Sequence, residues 1–186
     1  MKRFFDFILS LFALIILVVP IFLITIAVKL TSKGPALYWS NRIGMNNMPF
    51  KMPKFRSMHE GTPIVATHLL LNSSKYLTPV GNFLRKSSLD ELPQLWSIIV
   101  GDMSLVGPRP ALFNQFDLIE LRTGKNVHRI RPGLTGLAQI SGRDKLLITA
   151  KVDYDAYYAK NISIIFDIKI LILTTINVVK RVGVLY

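Results

Sequence analysis

Residues 4–30, FFDFILSLFALIILVVPIFLITIAVKL, decide the fold: an apolar run broken only by Asp6, Ser10, Pro20, Thr25 and Lys29. Roughly 20 apolar residues cross the hydrocarbon core of a bilayer, so the run is long enough for a membrane helix. It exceeds the apolar core of a secretory leader, and no small-residue cleavage pattern follows it, which argues against a signal peptide. Pro20, near the middle, lacks a backbone donor and its ring collides with the preceding turn, so a kink or break is predicted there. A kinked helix would cross the membrane, whereas a re-entrant hairpin would enter and leave on one face. Lys2 and Arg3 precede the run, and Lys29 and Lys33 close it. Positive charge at both ends is what two cytoplasmic ends look like. The residues alone leave both topologies open.

The 186 residues are enough for one domain with a real core. Hydrophobic residues make up 51% and the formal net charge is +12, an unusual pairing. A basic balance suits nucleic acid, an anionic lipid surface or an anionic substrate; the apolar N-terminus shifts weight to the last two. With no cysteine, the chain has no disulfide framework, thiolate nucleophile or zinc–thiolate site.

After Ser32-Lys33-Gly34-Pro35 ends the membrane segment, Ala36 to Asn41 and Phe50 to Met58 read as short extended pieces, with Pro53 arguing against a central strand. Residues 61–71 read as a loop with a short helix. Thr78-Pro79 starts a helix carrying Arg85 and Lys86. A second helix is predicted from about Ser88 to Gly101, with Pro93 near its first turn, and a third from Ala111 to Arg122. Leu137 to Ile140 is a short apolar piece, and Lys145 to Lys160 reads as helical. Ser163 could cap a last helix, apolar but carrying Asp167, Lys169, Lys180 and Arg181. Those charges favour an interfacial helix or one packed on the domain over a spanning one.

Adjacent carboxylates, Asp90 and Glu91, lie between Arg85-Lys86-Ser87-Ser88 and the loop Gly101 to Pro110, which contains Arg109. Phosphate chemistry needs cations around the transferring group and loops whose backbone can approach it. Neighbouring residues in mid-helix point about 100° apart, but at a first turn they can converge, and there one could attack phosphorus while the other holds a metal or shuttles a proton. Taken alone, two acids at a first turn more simply favour the helix dipole. Arg109, between Pro108 and Pro110, suits bidentate phosphate binding, and Arg131 and Arg143 sit in two further glycine-containing loops. The default reading of Lys51, Lys54 and Arg56 is a solvated face or contact with lipid phosphates. Asp153 and Asp155 read as a polar helix face, and Tyr157 and Tyr158 as groups for stacking or for the interface. His59, His68 and His128 lack metal-ligand spacing.

Five stretches in order, Lys54 to Met58, Arg85 to Leu95, Gly101 to Pro110, Arg131 to Gly136 and Ser141 to Arg143, give the chain its family resemblance. It resembles the bacterial sugar transferases, in particular the small monotopic phosphoglycosyl transferases, over nearly its whole length. The resemblance implies a mainly α fold with a few short strands: a re-entrant membrane helix at residues 1–31, broken at Pro20, then a catalytic domain at residues 32–186 with interfacial helices. It implies transfer of a sugar 1-phosphate from a UDP-sugar to polyprenyl (undecaprenyl) phosphate with release of UMP, the first membrane step of glycoconjugate assembly. The implied course is ping-pong, through a phosphosugar on Asp90. Glu91 is then its dyad partner, both carboxylates lie at a required Mg²⁺, and Arg85, Arg109, Arg131 and Arg143 lie near substrate. The implied location is the cytoplasmic face of the bacterial inner membrane. The implied partners are membrane lipids and downstream glycosyltransferases, with room for a homo-oligomer and none for nucleic acid. Val19 stands where a serine commonly precedes the break, Leu137 where many relatives have Trp, and Pro53 where an aromatic or aliphatic residue is common. The alternative reading is a catalytically idle membrane-surface scaffold of the same fold; the intact Asp90-Glu91 pair favours the enzyme.

Overall fold

The computed structural model describes residues 1–65, 70, 73–142 and 146–180. Helix α1 (Lys2–Ile16) and helix α2 (Val18–Thr31) meet at Leu17 with a bend of 63°. Pro20 explains why the break falls three residues before it. It has no N–H for the Ile16 carbonyl, and its ring crowds that same oxygen. The ladder is intact on both sides: the Leu17 N–H donates to the Ala13 carbonyl at 2.9 Å and the Ile21 N–H to the Leu17 carbonyl at 2.8 Å. Among the described residues no single helix is long and apolar enough to cross a membrane, but this bent pair together meets that test of length and composition.

The polar first turns of α1 dock the pair on the rest of the chain. Asp6 accepts hydrogen bonds from the Ser104 hydroxyl at 2.8 Å and the Leu105 N–H at 3.2 Å. Lys2 pairs with Asp167 at 2.5 Å, and the Arg3 guanidinium donates to the carbonyls of Ile98 and Ile99.

Strands β1 (Leu37–Ile43) and β2 (Pro49–Phe55) form an antiparallel hairpin in which Leu37 faces Phe55 and Ile43 faces Pro49. Pro53 lies on the edge strand of this sheet, where its missing donor is tolerated. Helix α3 (Gly81–Lys86) follows, its first N–H donating to the Thr78 hydroxyl at 3.0 Å. The helix predicted from Ser88 is two pieces: a 3₁₀ turn at Leu89–Glu91, then α4 (Gln94–Val100), closed by Gly101 in the left-handed region at φ 106°.

The chain then forms β3 (Ser104–Val106) and β4 (Ala111–Leu112), and β4 pairs with β1. This corrects the helix predicted from Ala111. Pro110 and the Leu112 N–H, which donates to the Gln115 side chain at 2.8 Å, set a turn, and helix α5 begins only at Phe116 (Phe116–Gly124). Strand β5 (Gly133–Thr135) runs parallel to β3. Helices α6 (Leu137–Ser141), α7 (Ile148–Lys160) and α8 (Ile164–Val179) complete the fold, and Ser163 caps α8 by accepting from the Phe166 N–H at 3.2 Å.

The fold is mainly helical with a few short strands. Its core gathers Met52, Leu95, Ile98, Met103, Val106, Tyr158 and Ile170, with Leu9, Ala13 and Leu17 packed against it from the N-terminal helices. A second cluster, Val28, Ala36, Phe55 and Leu84, lies beneath α2. Helix α8 buries one face, with Ile170 and Asp167, and leaves Ile165, Ile168 and Ile172 exposed.

Candidate active site

Two backbone features place the acidic pair. Ser88 ends α3 in the left-handed region at φ 57°, a conformation that costs an L-residue about 1 kcal/mol or more and turns the chain sharply. The 3₁₀ turn that follows sends Asp90 inward, 7% exposed, while the Glu91 carboxylate reaches towards β2 and the Arg109 loop. The pair therefore sits in a tight turn ahead of α4, its two carboxylates in different surroundings.

Glu91 is gripped by two cations. Its Oε1 accepts from Lys54 Nζ at 2.9 Å and from Arg109 Nη2 at 2.5 Å, and Arg109 Nη1 lies 3.4 Å from Oε2. Burial opposes its charge, but Arg109 and Lys54 outweigh that and hold the carboxyl well below the usual carboxylate range. Asp90 goes the other way. Burial pushes its pKa up, and Glu91 adds to this, against the opposing pull of Lys54, Arg85 and Arg109. A pair of acids with environments that push them apart is a recurring mark of assigned roles in catalysis. Among the protein's own groups, desolvation is the larger effect on Asp90.

Lys54 is the residue the sequence reading misplaced. It is neither a solvated cation nor a lipid contact; its side chain is largely buried against Glu91, and burial lowers its pKa. Only its place in β2, whose pattern turns Met52, Pro53 and Phe55 inward, hinted at this. Arg56 is likewise committed within the fold, donating to the Pro35 carbonyl at 2.8 Å. Arg42, on β1, donates to the Pro110 carbonyl at 3.1 Å, and burial together with nearby Arg109 lowers its pKa to about 10.

The glycines of the two loops near the pair have a packing reason. The Gly107 N–H donates to the Thr135 carbonyl at 2.8 Å and the Gly133 N–H to the Pro108 carbonyl at 2.9 Å, so the two loops lie backbone to backbone. A Cβ on Gly107 would sit 2.5 Å from the Arg131 carbonyl oxygen, inside any real contact distance. This close seam fixes the segment that presents Arg109.

Asp90, Glu91, Arg85 and Arg109 come together; Arg85 also points its guanidinium at Met58 Sδ, 3.5 Å away. Arg131 is engaged elsewhere, its Nε donating to the Gly101 carbonyl at 2.9 Å at the end of α4. Arg143 lies outside the described residues, as does His68. Pro20 stands at the bend between α1 and α2. Tyr158 is no stacking surface: it is buried and donates to Asp167 at 2.6 Å and to the Val106 carbonyl. Asp155 is not on a polar face but buried, paired with Arg122.

Asp90 and Glu91 offer hard oxygen ligands. Among the described residues no cluster of three or more His, Cys, Asp or Glu could hold a metal. Two carboxylates are what Mg²⁺ commonly takes from a protein when phosphates and water complete its shell, so the pair fits that ion in the presence of a phosphorylated substrate.

Comparison with known proteins gives the family. The family model described as bacterial sugar transferase matches residues 1–181. The exopolysaccharide production protein ExoY of Sinorhizobium fredii is 40% identical over 93% of this chain and 83% of its own length. The uncharacterized sugar transferase EpsL of Bacillus subtilis is 36% identical over 99% of this chain and 90% of its own. The UDP-glucose:undecaprenyl-phosphate glucose-1-phosphate transferase of Escherichia coli is 40% identical over 94% of this chain, which spans 39% of that longer protein. The chain belongs to the bacterial sugar transferase family and is a phosphoglycosyl transferase.

Proposed function

We propose that the protein transfers a sugar 1-phosphate from a UDP-sugar to polyprenyl phosphate by way of a phosphosugar on Asp90. The supporting observation is the division of the acidic pair: a buried, desolvated Asp90 beside a Glu91 held ionised between Lys54 and Arg109. In the first half-reaction an Asp90 carboxylate oxygen bonds to the sugar-linked phosphorus. The bond from that phosphorus to the bridging oxygen breaks, and its electron pair leaves with UMP. In the second, a phosphate oxygen of the polyprenyl phosphate attacks the same phosphorus and Asp90 departs as a carboxylate. A carboxylate short of water is a stronger nucleophile than a hydrated one once ionised, and the surrounding cations favour that ionised form. In this reading Arg109, whose side chain is 45% exposed, binds the donor phosphates. Asp90 and Glu91 would hold Mg²⁺, which when bound would neutralise phosphate charge further.

The acceptor is a membrane lipid, and the exposed apolar faces of α1 and α2 support a membrane seat, here read as re-entrant from the cytoplasmic face of the bacterial inner membrane. Relatives are named for glucose and for galactose transfer, so a donor panel is part of the test. On mixing with its UDP-sugar and Mg²⁺, without acceptor, the enzyme should release UMP in an amount near its own concentration. Asp90→Asn should abolish that burst and lower turnover by on the order of 10⁴-fold or more. A strict need for polyprenyl phosphate before any UMP appears would instead mean direct transfer in a ternary complex.

A further inference from the structure

Arg109 is flanked by prolines, so the loop that presents it has no N–H at positions 108 and 110 and is held through its carbonyls. The Val106 carbonyl accepts from the Tyr158 hydroxyl at 3.1 Å and the Pro108 carbonyl from the Gly133 N–H at 2.9 Å. The Pro110 carbonyl accepts from Arg42 at 3.1 Å. The Arg109 carbonyl itself accepts from Nη1 of Arg122, on α5, at 2.7 Å. The other edge of that guanidinium lies on Asp155 of α7, with Nε and Nη2 at 3.0 and 2.6 Å from one oxygen, Oδ2. Asp155 is 1% exposed.

We propose that Arg122, braced by Asp155, is a positioning residue that aims Arg109 at the donor phosphates by holding the Arg109 carbonyl. The residue before a proline is confined to extended conformations, so the remaining freedom of Arg109 is small. Fixing its carbonyl plane fixes the direction in which its side chain leaves the backbone. Only a guanidinium can grip a carboxylate along one edge while donating from its third nitrogen to a carbonyl. Asp155 orients that fork and balances its charge close to a centre already crowded with cations. A buried ion pair is seldom the most stable filling for such a space, which directs attention to what its geometry specifies.

The inference rests on the proposed phosphate contact of Arg109, and a double-mutant cycle separates the two. UDP, the part shared by all UDP-sugar donors, is titrated calorimetrically with Mg²⁺ into the full chain, Arg109→Ala, Arg122→Lys and the double variant. Lysine keeps the charge beside Asp155 but cannot span both partners. Arg122→Lys should weaken UDP binding about tenfold in the wild-type background and about twofold or less where Arg109 is already alanine. Equal losses in both backgrounds, or no loss in the first, would overturn the positioning role while leaving the Arg109 contact standing. Unchanged UDP affinity in Arg109→Ala would overturn both. If Arg122→Lys melts far below the wild type, Arg122→Gln with Asp155→Asn, which removes both buried charges together, takes its place in the same cycle with the same expected outcomes.

Discussion

The N-terminal helix pair and the catalytic region obey opposite solvent rules. In α1 the fully buried residues are Asp6 and Ser10, with Leu9 and Ala13 beside them on the core, while Phe4, Phe12 and Ile15 are 73%, 62% and 64% exposed. Around the acidic pair the pattern is the usual one, with Met52, Phe55, Ile98 and Met103 inside and Arg109 towards the rim. An apolar surface of this extent is unfavourable in water and marks an interaction with something apolar. Polar atoms then become the adhesive: Lys2, Arg3 and Asp6 tie α1 to Asp167, to the end of α4 and to β3. Where the surroundings are greasy, apolar side chains cannot say which face of a helix packs inward, and a few hydrogen bonds do so instead.

Three experiments would break or sharpen this contrast. The largest effect is a change of side. A cysteine added ahead of Met1 and Lys33→Cys, in a chain with none of its own, should react alike with an impermeant thiol reagent in sealed vesicles if the pair is re-entrant. Opposite labelling would mean a spanning helix. Next is the seam beneath Arg109. Gly107→Ala drives a Cβ to 2.5 Å from the Arg131 carbonyl oxygen, and since misplacing a reacting group by about 1 Å costs on the order of 10²-fold, UMP release should fall by that order. Normal kinetics would show that the loop absorbs the shift. The smallest is Asp6→Ala, which orphans the Leu105 N–H, while the Ser104 hydroxyl keeps the Val106 carbonyl at 3.0 Å. Leaving such a buried donor unpaired costs about 1–3 kcal/mol, or roughly 3–10 °C in the melting temperature of the detergent-solubilised protein. An unchanged melting temperature would mean that Asp6 does not help to hold α1.

Much of the site was legible as residues but not as geometry. Asp90, Glu91 and Arg109 stood out because paired acids beside a proline-bound arginine are a chemical pattern in the chain itself. Lys54 did not, because a lysine in a basic stretch looks the same whether it is solvated or buried against a glutamate 37 positions later. Asp155 was hidden for the same reason: its partner Arg122 lies 33 positions away, on another helix. The helix predicted from Ala111 failed because sheet pairing with β1, a contact far along the chain, overrode local helical preference.

By itself, the sequence determined the elements whose causes are local. Pro20 breaks the apolar run because a missing donor and a ring clash act within one turn, Gly101 ends α4 because it alone tolerates φ 106° at ease, and Ser163 caps α8 with its own hydroxyl. Tertiary structure decided the rest: that Glu91 is held between Lys54 and Arg109, that the protein's own groups leave Asp90 reluctant to ionise, and that Arg122 holds the carbonyl of Arg109. Charge and burial at those positions depend on which distant segments are brought together, and desolvation and Coulomb attraction act across space and not along the chain.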